Sequence, residues 1–222
     1  MYGMRFKNRT EAGRKLARAL GEYRGKNVVV YGLPRGGVVV AYEIAKYLHV
    51  PLDLLSVCKI GHPDSPEYAV GVVAQDGCTL FNEKEVALLD TVWLEHERNE
   101  KRKEAQRRQA LYSGGREPIS AQGKIAILVD DGVATGLTVK VGILELIHQN
   151  PKNIIIAVPI CPKTFADEIK KEGHDCVALD TPPLDTDAVS AYYDEFPQVA
   201  DEEVIRLMSQ VNLETRLAMD II

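Results

Sequence analysis

Residues 124–139, KIAILVDDGVATGLTV, decide the reading of this chain. Ile125–Val129 are apolar without a polar break. A strand with one wet face alternates, so an unbroken run predicts a strand covered on both faces, as in parallel sheets. The run stops at two adjacent carboxylates, Asp130 and Asp131, and passes into a Gly-, Ala- and Thr-rich segment, Gly132–Thr138. In an open α/β sheet, ligands bind at the carboxyl ends of the strands.

The flanking sequence repeats the same grammar. NVVVYGL (27–33), PLDLLSVCKI (51–60), NIIIAVPI (153–160) and DCVAL (175–179) read as further strands. Helical spacing runs over 8–24, 38–50, 138–149, 163–172 and from 201 onward. Asn8 and Glu11 form a capping-box pattern before a stripe of Ala12, Leu16, Ala19, Leu20 and Tyr23. GHPDSPE (61–67) reads as a polar loop. YAVGVVAQ and CTLF flank Asp76-Gly77, the signal of a type I′ hairpin. Residues 83–112 read as one long charged helix whose apolar stripe (Val86, Leu89, Val92, Trp93) fades after Trp93. Its Glu97–Lys101 and Glu104–Arg108 spacings predict solvated i,i+4 pairs, with a nucleic-acid or subunit contact as the rarer use of such a face.

Strands alternating with helices predict a doubly wound, mostly parallel α/β sheet with helices on both faces. The expected organisation is one domain, 1–222, with an insertion at 61–118 (hairpin loop and long helix) and a C-terminal segment at 181–222. The chain has 222 residues, 45% of hydrophobic type, and a formal charge of −5. The length suffices for such a core, and the acidic balance argues against a nucleic-acid coat. No apolar run has membrane-spanning length and the N-terminus has no apolar signal region, so a cytoplasmic location is expected. Cys58, Cys78, Cys161 and Cys176 lack C-x-x-C spacing and are expected to be buried reduced thiols rather than zinc ligands or disulfides.

Three strand ends carry unusual residues: Pro34–Gly37, Lys59–Gly61 and Asp130–Thr138. Small residues in GVATGLT let backbone amides approach an anion, and the following helix turns its positive end to the same place. Asp130 and Asp131 would repel a phosphate beside them. Two carboxylates instead suit a vicinal diol. A ligand with a phosphate at one end and a diol nearby is a ribose 5-phosphate. A simple helix cap accounts for one aspartate but not for both. There is no G-x-x-x-x-G-K-[ST], and GLPRGG lacks dinucleotide-fingerprint spacing.

ILVDDGVATGLT resembles the phosphoribosylpyrophosphate (PRPP) motif of type I phosphoribosyltransferases. LPRGGVVVAYEIAKYL, KIGHPDSPEYAVGVVAQDG and YYDEFPQVADEEV resemble a branch labelled simply as predicted phosphoribosyltransferases, and the likeness covers roughly Phe6 to Met208. The resemblance implies that Asp130 and Asp131 bind the ribose hydroxyls. It assigns the 5-phosphate to Ala134, Thr135, Gly136, Leu137 and Thr138, with Gly132 and Val133 in the same loop. Pro34-Arg35-Gly36-Gly37 matches the pyrophosphate loop, often built on a non-proline cis peptide, and Lys59 falls where a basic residue meets pyrophosphate. Residues 61–78 match the loop that closes over the substrates. Asp130, Asp131, Lys59 and Arg35 are the implied catalytic residues. Mg²⁺ is the implied cofactor, held mainly by PRPP with water contact to Asp130 or Asp131.

The implied reaction transfers 5-phosphoribosyl from PRPP to a nitrogen acceptor, a nucleobase or related small molecule, and releases pyrophosphate. Residue by residue, plainer readings stand beside these: Arg35 as a turn residue, Lys59 as a solvated strand end, Glu67 and Tyr68 as loop or hairpin residues, His62 as a loop histidine. Tyr192, Tyr193 and Phe196 suit either stacking on an acceptor ring or packing the C-terminal segment. The alternative function is a PRPP-sensing regulator that binds RNA or DNA without turnover. A third is a salvage or repair enzyme with an unusual acceptor.

Overall fold

The structure is a computed structural model and describes residues 4–183 and 188–219, without the side chains of Glu67 and of 212–219. The sequence-derived readings for Glu67 and for parts of the C-terminal segment (184–187 and 220–222) therefore lie outside the described residues.

The core is a five-stranded parallel sheet in the order β2-β1-β6-β7-β8. Its strands are β1 (Val28–Gly32), β2 (Leu52–Leu54), β6 (Ile125–Val129), β7 (Asn153–Ile160) and β8 (Asp175–Asp180). Ile125–Val129 pair with β1 on one side and β7 on the other, in the continuous registers Val28↔Ile125 and Ile125↔Asn153. Central placement explains the unbroken apolar run. On one face pack α1 (Arg9–Ala19), α2 (Gly36–Leu48) and α7 (Asp201–Met219), burying Leu16, Leu20, Val40, Ile44, Val204 and Leu207. On the other pack α5 (Leu137–Ile147) and α6 (Lys163–Lys171), with Val141, Leu146, Phe165 and Ile169 inward. The chain is thus a mixed α/β fold with a mostly parallel central sheet flanked by helices.

A second, antiparallel sheet joins β3 (Val57–His62), β4 (Ser65–Ala74) and β5 (Thr79–Phe81). This corrects the reading of 51–60 as one strand. The chain leaves the main sheet after Leu54 and enters the small one at Val57. The buried side chain of Gln109 supports the break: its Oε1 accepts from Ser56 N–H at 3.1 Å and its Nε2 donates to Leu54 carbonyl at 3.1 Å. A side chain thus satisfies backbone groups that a continuous ladder would have paired.

Five further expectations need correction. Most of 61–67 is strand, joined through a tight turn at Pro63–Asp64. The second hairpin is not type I′. Gly77 has φ +102° while Asp76 is not in the left-handed region, and Gly77 N–H donates to Ala74 carbonyl at 3.1 Å. These features define a type I turn closed by a glycine bulge. Residues 83–112 divide into α3 (Glu83–Val86) and α4 (Thr91–Ser113), because Asp90 caps α4 by accepting from Trp93 N–H at 2.8 Å. Val92 is exposed, and Leu94 replaces it beside Val86 and Leu89. Among the cysteines, Cys58 and Cys161 are buried, but Cys78 and Cys176 are only half-buried.

α1 also differs in detail. Asn8 Oδ1 caps Glu11 N–H at 3.1 Å, while Glu11 Oε2 returns to Lys7 N–H rather than to the cap itself. The helix ends at Ala19 and a 3-10 turn covers Gly21–Tyr23. Ala19 is exposed, and Ala17 takes its inward place.

Candidate functional site

The central strand β6 delivers Asp130 and Asp131 to the carboxyl edge of the sheet. The turn after β1 crosses in front of them through a cis peptide between Pro34 and Arg35. Its glycines are required by space. A Cβ on Gly36 would collide with the Asp131 carboxylate, and one on Gly37 would lie 2.7 Å from Val129 carbonyl and 3.0 Å from Asp130 Oδ1. Gly136, the cap of α5, sits at φ +78°, and a Cβ there would lie 2.5 Å from the Phe165 ring. As a glycine it caps α5 without a side-chain hydrogen bond, so the first-turn amides have no side-chain partner from the cap.

These segments enclose a cleft of about 300 Å³. Of the residues read from the sequence, Arg35, Gly36, Lys59, Asp130, Asp131, Gly132, Val133, Ala134, Thr135, Gly136 and Thr138 line it. Gly37 and Leu137 do not. Gly37 lies behind, against Val129 and Asp130, and Leu137 packs against the α5–α6 core. Pro34, Val139, Val189 and Phe196 complete the lining.

Lys59 reaches the cleft by a route the sequence did not suggest. It lies within β3, opposite Val72, and not at the end of a parallel strand. Its neighbours Cys58 and Ile60 face α4, so strand alternation sends Lys59 the other way. Lys59 is exposed and makes no ion pair among the described residues. Arg35 also lines the cleft, but its Nη1 lies 3.4 Å from Asp201 Oδ1, a carboxylate that accepts from Tyr112 hydroxyl at 2.7 Å.

The two aspartates are held unequally. Asp130 Oδ1 accepts from Asp131 N–H at 2.8 Å. Although Asp130 is partly exposed at the cleft mouth, protein surrounds it closely, and burial followed by the neighbouring Asp131 charge pushes its carboxyl well above the usual range. Lys59 opposes that rise. Asp131 is paired: Arg9 Nε donates to its Oδ2 at 2.6 Å, with side-chain exposures of only 10% and 16%. Tyr193 hydroxyl donates to Asp131 carbonyl at 2.6 Å.

Arg9 is the site residue that sequence reasoning missed. Its Nη1 donates to Pro197 carbonyl at 2.7 Å, and its guanidinium lies 3.6 Å from the centre of the Phe196 ring. A signal was available: a cation at the first position of a helix is opposed by the helix dipole, so a partner elsewhere was to be expected. Of the C-terminal aromatics, the two tyrosines pack the segment onto the fold. Tyr193 is buried with Phe6 and Ala12, and Tyr192 packs on the same cluster. Phe196 touches the cleft, but Arg9 covers its ring. His62 Nδ1 accepts from Asp64 N–H at 3.1 Å within its own turn. Tyr68 hydroxyl donates to Glu85 at 3.1 Å on the surface.

The parallel sheet thus carries an acidic pair and a small-residue loop at the end of its central strand. The chain belongs to the phosphoribosyl transferase domain family, whose model matches residues 6–194. It is 39% identical over 209 residues to a protein named "Putative phosphoribosyl transferase" in each of two strains of Mycobacterium tuberculosis. The match covers 93% of this chain and 47% of theirs, so the chain spans about half the length of these relatives. Among solved structures it is similar to the protein TT1426 of Thermus thermophilus, with 36% identity, a TM-score of 0.75, and coverage of 93% of this chain and 99% of that one. Among the described residues, no helix is long and apolar enough to cross a membrane.

Proposed function

We propose that this chain is a phosphoribosyltransferase that transfers the 5-phosphoribosyl group of PRPP to a nitrogen acceptor of nucleobase type and releases pyrophosphate. One observation carries the reading. Two carboxyls and an amide-rich loop lie side by side in one cleft, with Lys59 and the Pro34–Gly36 turn also lining it. Such a site offers acceptors for a diol and donors for phosphates at opposite ends.

In the reaction the bond from C1 to pyrophosphate breaks, a bond from acceptor nitrogen to C1 forms, and the acceptor loses a proton. The sugar gains oxocarbenium character. Amides of the 132–138 loop and the start of α5 hold the 5-phosphate. Asp131 is fixed by Arg9 through Oδ2, which leaves Oδ1 for a ribose hydroxyl. Asp130, whose charge is disfavoured in the ligand-free cleft, is stabilised as an anion when positive charge develops on the sugar. Lys59 and Arg35 offset charge on the leaving group. For Arg35 this requires exchanging its long contact with Asp201 for pyrophosphate. The donor set fits Mg²⁺, a hard cation that prefers oxygen and keeps much of its water: Asp130 and Asp131 would face it, largely through water. When bound with PRPP it supplies charge neutralisation at the departing pyrophosphate.

The test is thermal melting with PRPP and Mg²⁺, followed by pyrophosphate release over a panel of bases and amines. Ligand binding raises the melting temperature by mass action, and an Asp130→Ala/Asp131→Ala double variant loses the shift. Melting that ignores millimolar-range PRPP overturns the proposal. Binding without release for any acceptor, coupled to a change in RNA or DNA affinity, assigns the chain to regulation.

A further inference from the structure

Remote from the cleft, three potential metal ligands converge on the surface. The turn between β4 and β5 contributes Asp76 and Cys78, and the C-terminal end of α5 contributes His148. Cys78 Sγ lies 3.1 Å from Asp76 Oδ2 and 3.5 Å from His148 Nδ1, and His148 Nδ1 lies 3.3 Å from Asp76 Oδ2. We infer that Asp76, Cys78 and His148 form a binding site for a tetrahedral, thiophilic divalent cation of the Zn²⁺ class, with water as the fourth ligand.

The distances carry the inference. With Zn–S of about 2.3 Å and Zn–N and Zn–O of about 2.0–2.1 Å, a tetrahedral ion separates its ligand atoms by roughly 3.3–3.5 Å. The nitrogen–oxygen and sulfur–nitrogen edges match as they stand. The sulfur–oxygen edge opens by about 0.4 Å, within the freedom of an exposed aspartate. The charges match as well. A thiolate and a carboxylate neutralise a divalent cation, and binding displaces one proton from Cys78 to solvent. In the metal-bound form the imidazole carries its proton on Nε2, freeing Nδ1 to ligate.

The ligands are held from three sides before any ion arrives. Asp76 Oδ1 accepts from Cys78 N–H at 2.8 Å, which closes the turn on itself. From α4, Arg102 and Gln106 donate to the carbonyls of Asp76 and Gln75 at 3.2 and 3.1 Å. From α5, Glu145 Oε1 accepts from Gln75 Nε2 at 3.1 Å. Glu145 is only 4% exposed, and its Oε2 has no hydrogen-bond partner in the structure. It lies one turn before His148, the C-cap of α5. A buried carboxyl with an unpartnered oxygen thus lies beside the cluster.

A Cys–His nucleophile fits less well. His148 meets both Cys78 and Asp76 through the same ring nitrogen, so it cannot relay a proton between them. A metal would instead clamp the small sheet to α5. At about 1.5 Å per residue, the 11 residues of α5 place this clamp roughly 16 Å from the loop that opens the helix.

Cobalt(II) reports the geometry directly. The full chain titrated with Co²⁺ is expected to show a thiolate-to-cobalt charge-transfer band with the intense visible bands of tetrahedral coordination, both displaced by Zn²⁺. Cys78→Ser loses the charge-transfer band, Cys161→Ser retains it, and His148→Gln weakens Co²⁺ binding. Zn²⁺ raises the melting temperature of the wild type and a chelator reverses the shift. Unchanged melting of Cys78→Ser in metal-free buffer shows that it folds; should it not, His148→Gln, at an exposed position, carries the same test. Absence of the band at saturating Co²⁺, or a band that survives both Cys78→Ser and His148→Gln, overturns the assignment.

Discussion

Arg9 and Asp131 show how one ion pair fixes the geometry of the cleft. Truncating one partner of a buried pair leaves the other charge without compensation and costs roughly 3 kcal/mol. With both side chains mostly shielded, solvent screening reduces that figure little. Arg9→Ala is therefore expected to lower the urea-unfolding free energy at neutral pH by about that amount. Arg9→Lys should recover little of it, because only a planar fork can serve Asp131, Pro197 and the Phe196 ring together. A loss below about 0.5 kcal/mol for Arg9→Ala would place the pair among solvated surface contacts. At this scale the sequence displayed the acid pair, because two adjacent aspartates at a strand end have no common structural use. It concealed Arg9, whose partner is 122 residues away.

At the scale of the element, patterns were legible where local chemistry decides and illegible where a distant group does. Asp90 is such a local signal, an aspartate before Thr-Val-Trp that caps the helix it opens, although the reading of 83–112 as one helix passed over it. Asp90→Ala should cost about 1 kcal/mol in urea unfolding and Asp90→Asn much less, with far-UV circular dichroism showing whether the first turn of α4 frays. The division of 51–60 had no such signal. PLDLLSVCKI is apolar throughout, and the switch from β2 to β3 depends on Gln109, more than 50 residues later. The hairpin at Asp76-Gly77 was legible as a hairpin. Its turn type depended on a third loop residue, Gln75, whose carbonyl Arg102 and Gln106 of α4 hold in place.

For the whole molecule, buried acids make stability fall as pH rises. Glu145 is displaced from an ordinary 4.5 to about 7, chiefly by burial, with Asp76 and Asp53 adding repulsion. The folded state then holds this proton more tightly than the unfolded chain. Its contribution is most favourable below about 4.5 and declines as pH rises to about 7, beyond which it is constant. In chelator-treated protein, Glu145→Gln is expected to flatten this part of the profile and to be more stable than wild type at pH 8, by up to about 3 kcal/mol. Urea unfolding at about pH 5 and pH 8 measures both. A Glu145→Gln profile parallel to wild type would show that the carboxyl is charged without penalty in the fold. Asp130, raised for the same first reason, keeps part of the slope in both proteins.

By itself the sequence determined the parallel core, the acid pair at the end of its central strand and the small-residue loop beyond it. Each is written in contiguous residues whose periodicity or spacing acts locally. Only the tertiary structure decided that Lys59 reaches the cleft from a separate sheet, that Arg9 holds Asp131, and that Asp76, Cys78 and His148 meet. The physical reason is the same in each case: these relations depend on side chains that strand alternation and helix packing bring together across tens of residues, and no local pattern records such a distance.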